Sequence, residues 1–277
     1  MSALSGDPDM TEPNDVAGPG PDSAADAGSE PTRALAELEA LEEEVARLKR
    51  VVRGRDVGDA DPDAVRTRFE DAAAHLQDAL AAANGGHDPI DTRSGERITP
   101  LDPDPESIDL EDVAHALSNL SRFTGQGTDF YSVARHAVHV SHEVEARGGT
   151  LAAQRWGLLH DASEAYLADV PAPVKRTLPG YTRAEKRLHA AVREAFDLEV
   201  SAADERLVDA ADADVGRYEL SVHFPAFHDR PALEYEGDAL DGSVADAALY
   251  RRRARELGLP TADQFDADST GSSESTR

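Results

Sequence analysis

From Ile98 to about residue 260 the apolar residues recur at helical spacing, and the strict alternation that marks a half-buried strand is nearly absent. That pattern predicts an all-α domain over 98–260. Pro100, Pro103 and Pro105 give an extended lead-in, and Asp109 is placed to cap a helix running to about Leu120. Further helices are expected over about 131–147, 151–168, 182–197, 203–221 and 243–257, with 222–242 as an irregular connection.

Upstream, Ala34, Leu38, Leu41, Val45, Leu48 and Val52 alternate at spacings of four and three, a short heptad seam. Its acidic flank comes first and its basic flank later, which suits the helix dipole. Two readings are open: a self-association helix that makes a homodimer, and an amphipathic helix folded onto its own chain. A second helix is expected from Asp61-Pro62, an N-cap followed by proline. Val65, Phe69, Ala72, Leu76 and Leu80 are its expected buried stripe, and Gly85-Gly86 its end. Residues 1–30 and 261–277 have little to bury and read as disordered acidic tails, which leaves 31–90 as a helical region with a short coiled-coil-like helix.

The formal net charge of −27 is spread through the apparently folded part, and Lys49, Lys175 and Lys186 are the only lysines among 28 basic residues. An acidic, lysine-poor surface suits a salt-rich, halophilic cytoplasm, where screening removes self-repulsion. The charge argues against a nucleic-acid polymer as partner, because such binding comes largely from Lys and Arg neutralising phosphates. A small phosphate ester needs only a metal and one or two local cations. With no cysteine, disulfides, thiolate metal sites and a cysteine nucleophile are excluded. No apolar run approaches the ~20 residues of a membrane span, and no signal-peptide pattern stands at the N-terminus, so a soluble cytoplasmic protein is expected.

The apolar run from Arg155 to Glu164 delivers His160, Asp161 and Glu164 together. In a continuous helix His160 and Glu164 share one face, with Asp161 about 100° around. The His-Asp pair also occurs at 87 and 228, but there among Gly and Pro, in loop-like settings. Two other expected helices offer compatible groups, His136 on one and Asp212 on the other. Val208 and Val215 share the face of Asp212, which ranks it above Asp209 and Asp214. Imidazole nitrogens and carboxylate oxygens are common ligands for divalent metals. The bland readings are specific as well. His139 and His142 follow His136 on a histidine-rich face that fits a core role, and His115 fits a structural one. Glu164 could pair with Arg155, Arg122 with an acidic neighbour, and Lys175 could be a surface charge.

Six linked motifs sharpen the choice: Asp112-Val-Ala-His-Ala-Leu-Ser118, Arg122-Phe-Thr-Gly125, Tyr131-Ser-Val-Ala-Arg-His136, His160-Asp-Ala-Ser-Glu164, Asp169-Val-Pro-Ala-Pro-Val-Lys175, and Ala211-Asp212 with Glu219 seven residues on. Over about Ile98 to Leu220 the chain resembles the HD-domain metal-dependent phosphohydrolases, closest to the branch that contains the 5′-deoxynucleotidases. The resemblance implies an HD-domain helical bundle, with 31–90 added before it. It also implies one divalent ion (Mn, Co, Fe, Ni, Zn or Mg) held by His136, His160, Asp161 and Asp212. By the same resemblance Glu164 orients or deprotonates the attacking water and Asp169 is a second catalytic carboxylate. Arg122 anchors the phosphate, and Phe123 and Lys175 line the substrate side. Phe123 stands where the characterised deoxynucleotidases carry a tryptophan against the sugar, so strict 2′-deoxy selectivity is not implied. The expected activity is hydrolysis of nucleoside or deoxynucleoside 5′-monophosphates. The alternatives are a nucleotide-sensing or scaffolding protein without turnover, and hydrolysis of phosphodiesters or polyphosphates.

Overall fold

A computed structural model of the chain describes residues 30–53, 62–84, 87–226, 228, 230–235 and 244–261. The expected acidic tails therefore lie outside the described residues, save for Glu30 and Thr261 at their inner ends. The described chain is mostly helical. Two long helices come first, α1 (Glu30–Arg53) and α2 (Pro62–Ala83), followed by a short antiparallel hairpin of β1 (Ile90–Asp91) and β2 (Arg97–Ile98). The remaining helices are α3 (Leu110–Asn119), α4 (Val133–Ala146), α5 (Leu151–Leu159), α6 (Glu164–Leu167), α7 (Ala172–Lys175), α8 (Pro179–Ala195), α9 (Ala202–His223) and α10 (Asp246–Glu256). Among the described residues no helix is long and apolar enough to cross a membrane.

The bundle is built around α4. Val133, Ala134, Ala137, Val138, Val140 and Val144 are all buried, so this helix meets neighbours on nearly every side. α3, α5, α9 and α10 supply them. Ser132 starts α4 by accepting a hydrogen bond from the Arg135 amide at 3.1 Å, and α9 starts with a reciprocal capping box between Ser201 and Asp204. Leu117, Leu158, Leu159 and Leu188 are fully enclosed, and each contributes about 1.5–3 kcal/mol of burial. α4 and α5 cross closely because position 157 is glycine: a Cβ there would lie 3.2 Å from the Ser141 Cα.

Three expectations need correction. Of the expected stripe of α2, Ala72 is buried, together with Ala79 and Ala82, but Phe69, Leu76 and Leu80 are exposed; the Val65 side chain lies outside the described residues. Small alanines let α1 and α8 approach α2, and the larger apolar groups go to the outer edge. The stretch 151–168 is two helices with a tight turn at 160–163 between them. Part of 222–242 is helical, since α9 continues to His223. α1 packs along α2 within the same chain, burying Leu48. α2 in turn docks on α8, where Arg183 makes a fork of two 2.9 Å bonds to Asp78.

Candidate metal centre

α4 and the turn after α5 bring the two imidazoles together, with ring centroids 5.5 Å apart. His136 is fully buried in the first half of α4. His160 ends α5, and from there the chain tightens into bonds three residues apart, Ala162 N–H to Leu159 O and Glu164 N–H to Asp161 O, both 2.9 Å. A three-residue turn rotates the backbone further per residue than an α-helix does. Asp161 thereby comes to the side of His160, its Oδ2 3.3 Å from the His160 Nε2 and 3.7 Å from the His136 Nε2. His136, His160 and Asp161 offer ligand atoms within 4.8 Å of one another and could hold a metal ion.

Asp212, from α9, closes the group. Its Oδ1 lies 3.0 Å from the His136 Nε2 and 3.8 Å from the His160 Nε2. Its side chain is 43% exposed, so the open side of the group is here. Asp214 is occupied elsewhere by Arg147 and Arg217, and Asp209 stays exposed.

The donor chemistry fits a cation. Both Nε2 atoms are buried and make no hydrogen bond, and the carboxylate oxygens nearby are not aligned to accept one. The other nitrogen of each ring is engaged. His136 Nδ1 meets the Glu219 carboxylate at 2.9 and 3.1 Å, and His160 Nδ1 meets the Gly157 carbonyl at 3.0 Å. In the neutral ring that arrangement fixes the proton on Nδ1, so a cation that displaces the second proton would meet an Nε2 lone pair in the shared space. Burial alone would pull the His136 imidazole down, and Arg122 adds to that pull; Glu219 and Asp212 reverse it, to about 9. Burial opposes charge on His160 too, and Asp161 and Asp212 hold it up at about 9. Asp212 is held well below the carboxylate range: burial acts against its charge, and the two imidazoles overcome it.

Arg122 reaches this group from a strained loop. Phe123, Thr124 and Gly125 are left-handed, with φ of 57°, 52° and 74°, and only the glycine adopts that conformation without cost. The Arg122 Nε lies 3.0 Å from Glu219 Oε2, and its Nη1 3.8 Å from Asp161 Oδ2. Phe123 packs against His223 and Phe224, with centroids 5.4 and 5.6 Å apart.

Glu164 is buried at the start of α6 with its Oε2 unbonded. Burial pushes its carboxyl up to about 9, reinforced by Asp161 and Asp169. Asp169 is raised for the same first reason, burial, and follows Ala168 at a φ of 66°. Lys175 is tied by two carboxylates, Glu185 at 2.6 Å and Glu164 at 3.6 Å. Arg155 is not a partner of Glu164, since its Nε donates to the Leu257 carbonyl. His139 packs edge-on against Tyr218 and Tyr235, and His142 stacks on Tyr235 at 4.7 Å, so these two histidines serve the aromatic packing.

Two residues next to the centre had no assigned role from the sequence. Glu219 bonds the ring of His136 and faces Arg122. The sequence marked it by its spacing of seven from Asp212, two turns of one helix, without giving it a role. Gly157 had no such signal, because a carbonyl acceptor leaves no mark on residue type.

No family model matches the chain. The uncharacterized protein YfdR of Escherichia coli K12 is 45% identical over 93 residues, which cover 34% of this chain and 49% of YfdR, so the chain spans about half the length of that relative. The uncharacterized protein RCAP_rcc00048 of Rhodobacter capsulatus is 42% identical over 175 residues, 60% of this chain and 85% of that protein. On that coverage the chain belongs to the same family as RCAP_rcc00048.

Proposed function

We propose that the protein is an HD-type, metal-dependent phosphomonoesterase acting on nucleoside 5′-monophosphates. The observation that carries this reading is the pair of buried, unbonded Nε2 atoms of His136 and His160, which face Asp161 and Asp212 with Arg122 alongside. His136, His160, Asp161 and Asp212 would hold the ion. When bound, a divalent cation supplies Lewis acidity: it lowers the pKa of a water and of nearby carboxyls and draws charge from a phosphoryl oxygen.

The chain's own groups supply the rest. Arg122 keeps its charge at all working pH and offers a planar fork to phosphate oxygens. Glu219 beside its Nε keeps that fork from turning away. Glu164 holds a proton near neutrality in the metal-free chain, and its unbonded oxygen is free to orient a water and to take or return a proton. Attack of the water oxygen on phosphorus breaks the bond to the 5′ oxygen. One proton of that water leaves with the nucleoside hydroxyl, so no covalent enzyme intermediate is needed. Phe123 lies next to Arg122, where an apolar ring suits a sugar face, and Lys175 with Asp169 flanks Glu164.

Phosphate release from a panel of nucleoside 5′-monophosphates, with Mn²⁺, Co²⁺ or Mg²⁺ added in turn, tests the reading. Turnover should require a divalent ion and vanish in His160→Ala and in Asp161→Ala. Equal rates in these variants, or no release from any monophosphate, would overturn it.

A further inference from the structure

Between α2 and the corner of α7 and α8 lies an open groove of about 970 Å³, lined among others by Arg66, Phe69, Glu70, Arg176, Thr177 and Lys186. Its size falls within the range of sites for small organic ligands. Among the described residues its lining runs against the charge of the chain, three cations to one carboxylate in a protein with 55 acidic and 28 basic residues. Glu70 lies 3.2 Å from the Lys186 Nζ and 3.8 Å from the Arg66 Nε. The Arg176 side chain is exposed and has no ion-pair partner among the described residues. Lysine is nearly eliminated from this sequence, yet Lys186, one of its three copies, lines this groove.

Phe69 adds the second component. It belongs to the apolar stripe of α2, and its side chain is turned out into the groove at 52% exposure. A flat apolar ring beside converging cations is matched by a ligand that carries both a planar heterocycle and phosphates. We propose that this groove is a second nucleotide-binding site, independent of any metal. The base packs on Phe69, and Arg176 and Lys186 receive the phosphates. The groove is distinct from the centre at His136 and His160, and the nearest covalent link is the peptide from Arg176 to Lys175. Occupancy here would not depend on the hydrolytic reading of that centre.

The test uses the full chain in EDTA, so that a metal-dependent site is silent, and follows the fluorescence anisotropy of ATP labelled on its ribose. Arg176→Glu with Lys186→Glu should weaken binding about tenfold or more, and Phe69→Ala about fivefold or more. Arg122→Ala should leave it unchanged. Circular dichroism checks the fold of each variant, and Arg176→Ala with Lys186→Ala replaces the charge reversal if that fails to fold. Absence of binding, binding indifferent to the Arg176 and Lys186 changes, or loss in Arg122→Ala would overturn the proposal. Displacement by inorganic tripolyphosphate as effective as by ATP, with Phe69→Ala silent, would overturn the nucleotide assignment.

Discussion

Glu219 and His136 meet at 2.9 Å inside the bundle, and neither has any exposed surface. The same carboxylate lies 3.0 Å from the Arg122 Nε, so one acidic group sets both an imidazole and the neighbouring guanidinium. Removal of a carboxylate behind a metal-bound histidine commonly costs about 10–100-fold in metal affinity. Glu219→Gln is expected to lose affinity within that range, and Glu219→Ala to lose more. Titration calorimetry with Mn²⁺ or Co²⁺ measures it. An affinity unchanged in Glu219→Ala would mean that the ring of His136 is not set from behind.

An ion bound to the folded state alone should also raise the unfolding midpoint. At a concentration about 100 times the Kd the gain is about 2.7 kcal/mol. EDTA should reverse it, and His160→Ala with Asp161→Ala should abolish it. The double variant matters because a chain with 55 acidic residues will collect cations at its surface. A shift of equal size in that variant would place the ions outside the centre.

Glu143 offers a pH test away from the centre. Its side chain is fully buried and accepts from the amides of Glu234 and Tyr235 at 3.1 and 2.8 Å and from Arg147 Nε at 2.8 Å. Burial works against its charge, but these donors outweigh it and hold the carboxyl below its ordinary value. A group depressed in the folded state stabilises above its unfolded pKa, and the gain is lost as pH falls through the folded one. Glu143→Gln is therefore expected to cost about 1.5–3 kcal/mol near pH 7. Urea unfolding should show the gap closing as the pH is lowered below about 4. A gap of constant size would show that the charge of Glu143 contributes nothing.

The left-handed run after Arg122 carries a removable strain. Thr124 is β-branched, exposed and at a φ of 52°. Thr124→Gly is expected to stabilise the protein by about 1 kcal/mol, read as a rise in the unfolding midpoint. The looser loop should hold Arg122 less firmly, so KM for a monophosphate should rise with kcat little changed. A lower midpoint would show that the Thr124 side chain contributes more than its backbone costs.

The helices of 98–260 were legible because their apolar period is long and sustained. Asp109, at the start of α3, fulfils its expected cap by accepting from the Glu111 and Asp112 amides at 2.7 and 3.1 Å. The two-residue strands β1 and β2 were not legible, since so short a pair leaves no period to read. The face of α2 was misread in part for a physical reason: Phe69, Leu76 and Leu80 outrank Ala79 and Ala82 in hydrophobicity, but close helix packing selects for small size, and of the expected stripe Ala72 is buried. The sequence grouped His160 with Asp161, while the break after Leu159 that turns Asp161 toward His136 had no Gly or Pro to announce it. Glu219 was visible as a residue but not as a partner, because its contacts come from α4 and from the loop at Arg122.

Position 157 serves two masters at once. Its missing side chain sets how near α5 comes to the backbone of Ser141, and its carbonyl steers the ring of His160. A single methyl added there would lie 3.2 Å from the Ser141 Cα, so the two rods must give by a few tenths of an ångström, and the carbonyl that holds the imidazole would shift with them. Mechanical fit and chemical aim therefore stand or fall together at this crossing, and a variant of Gly157 would be found out by either measure.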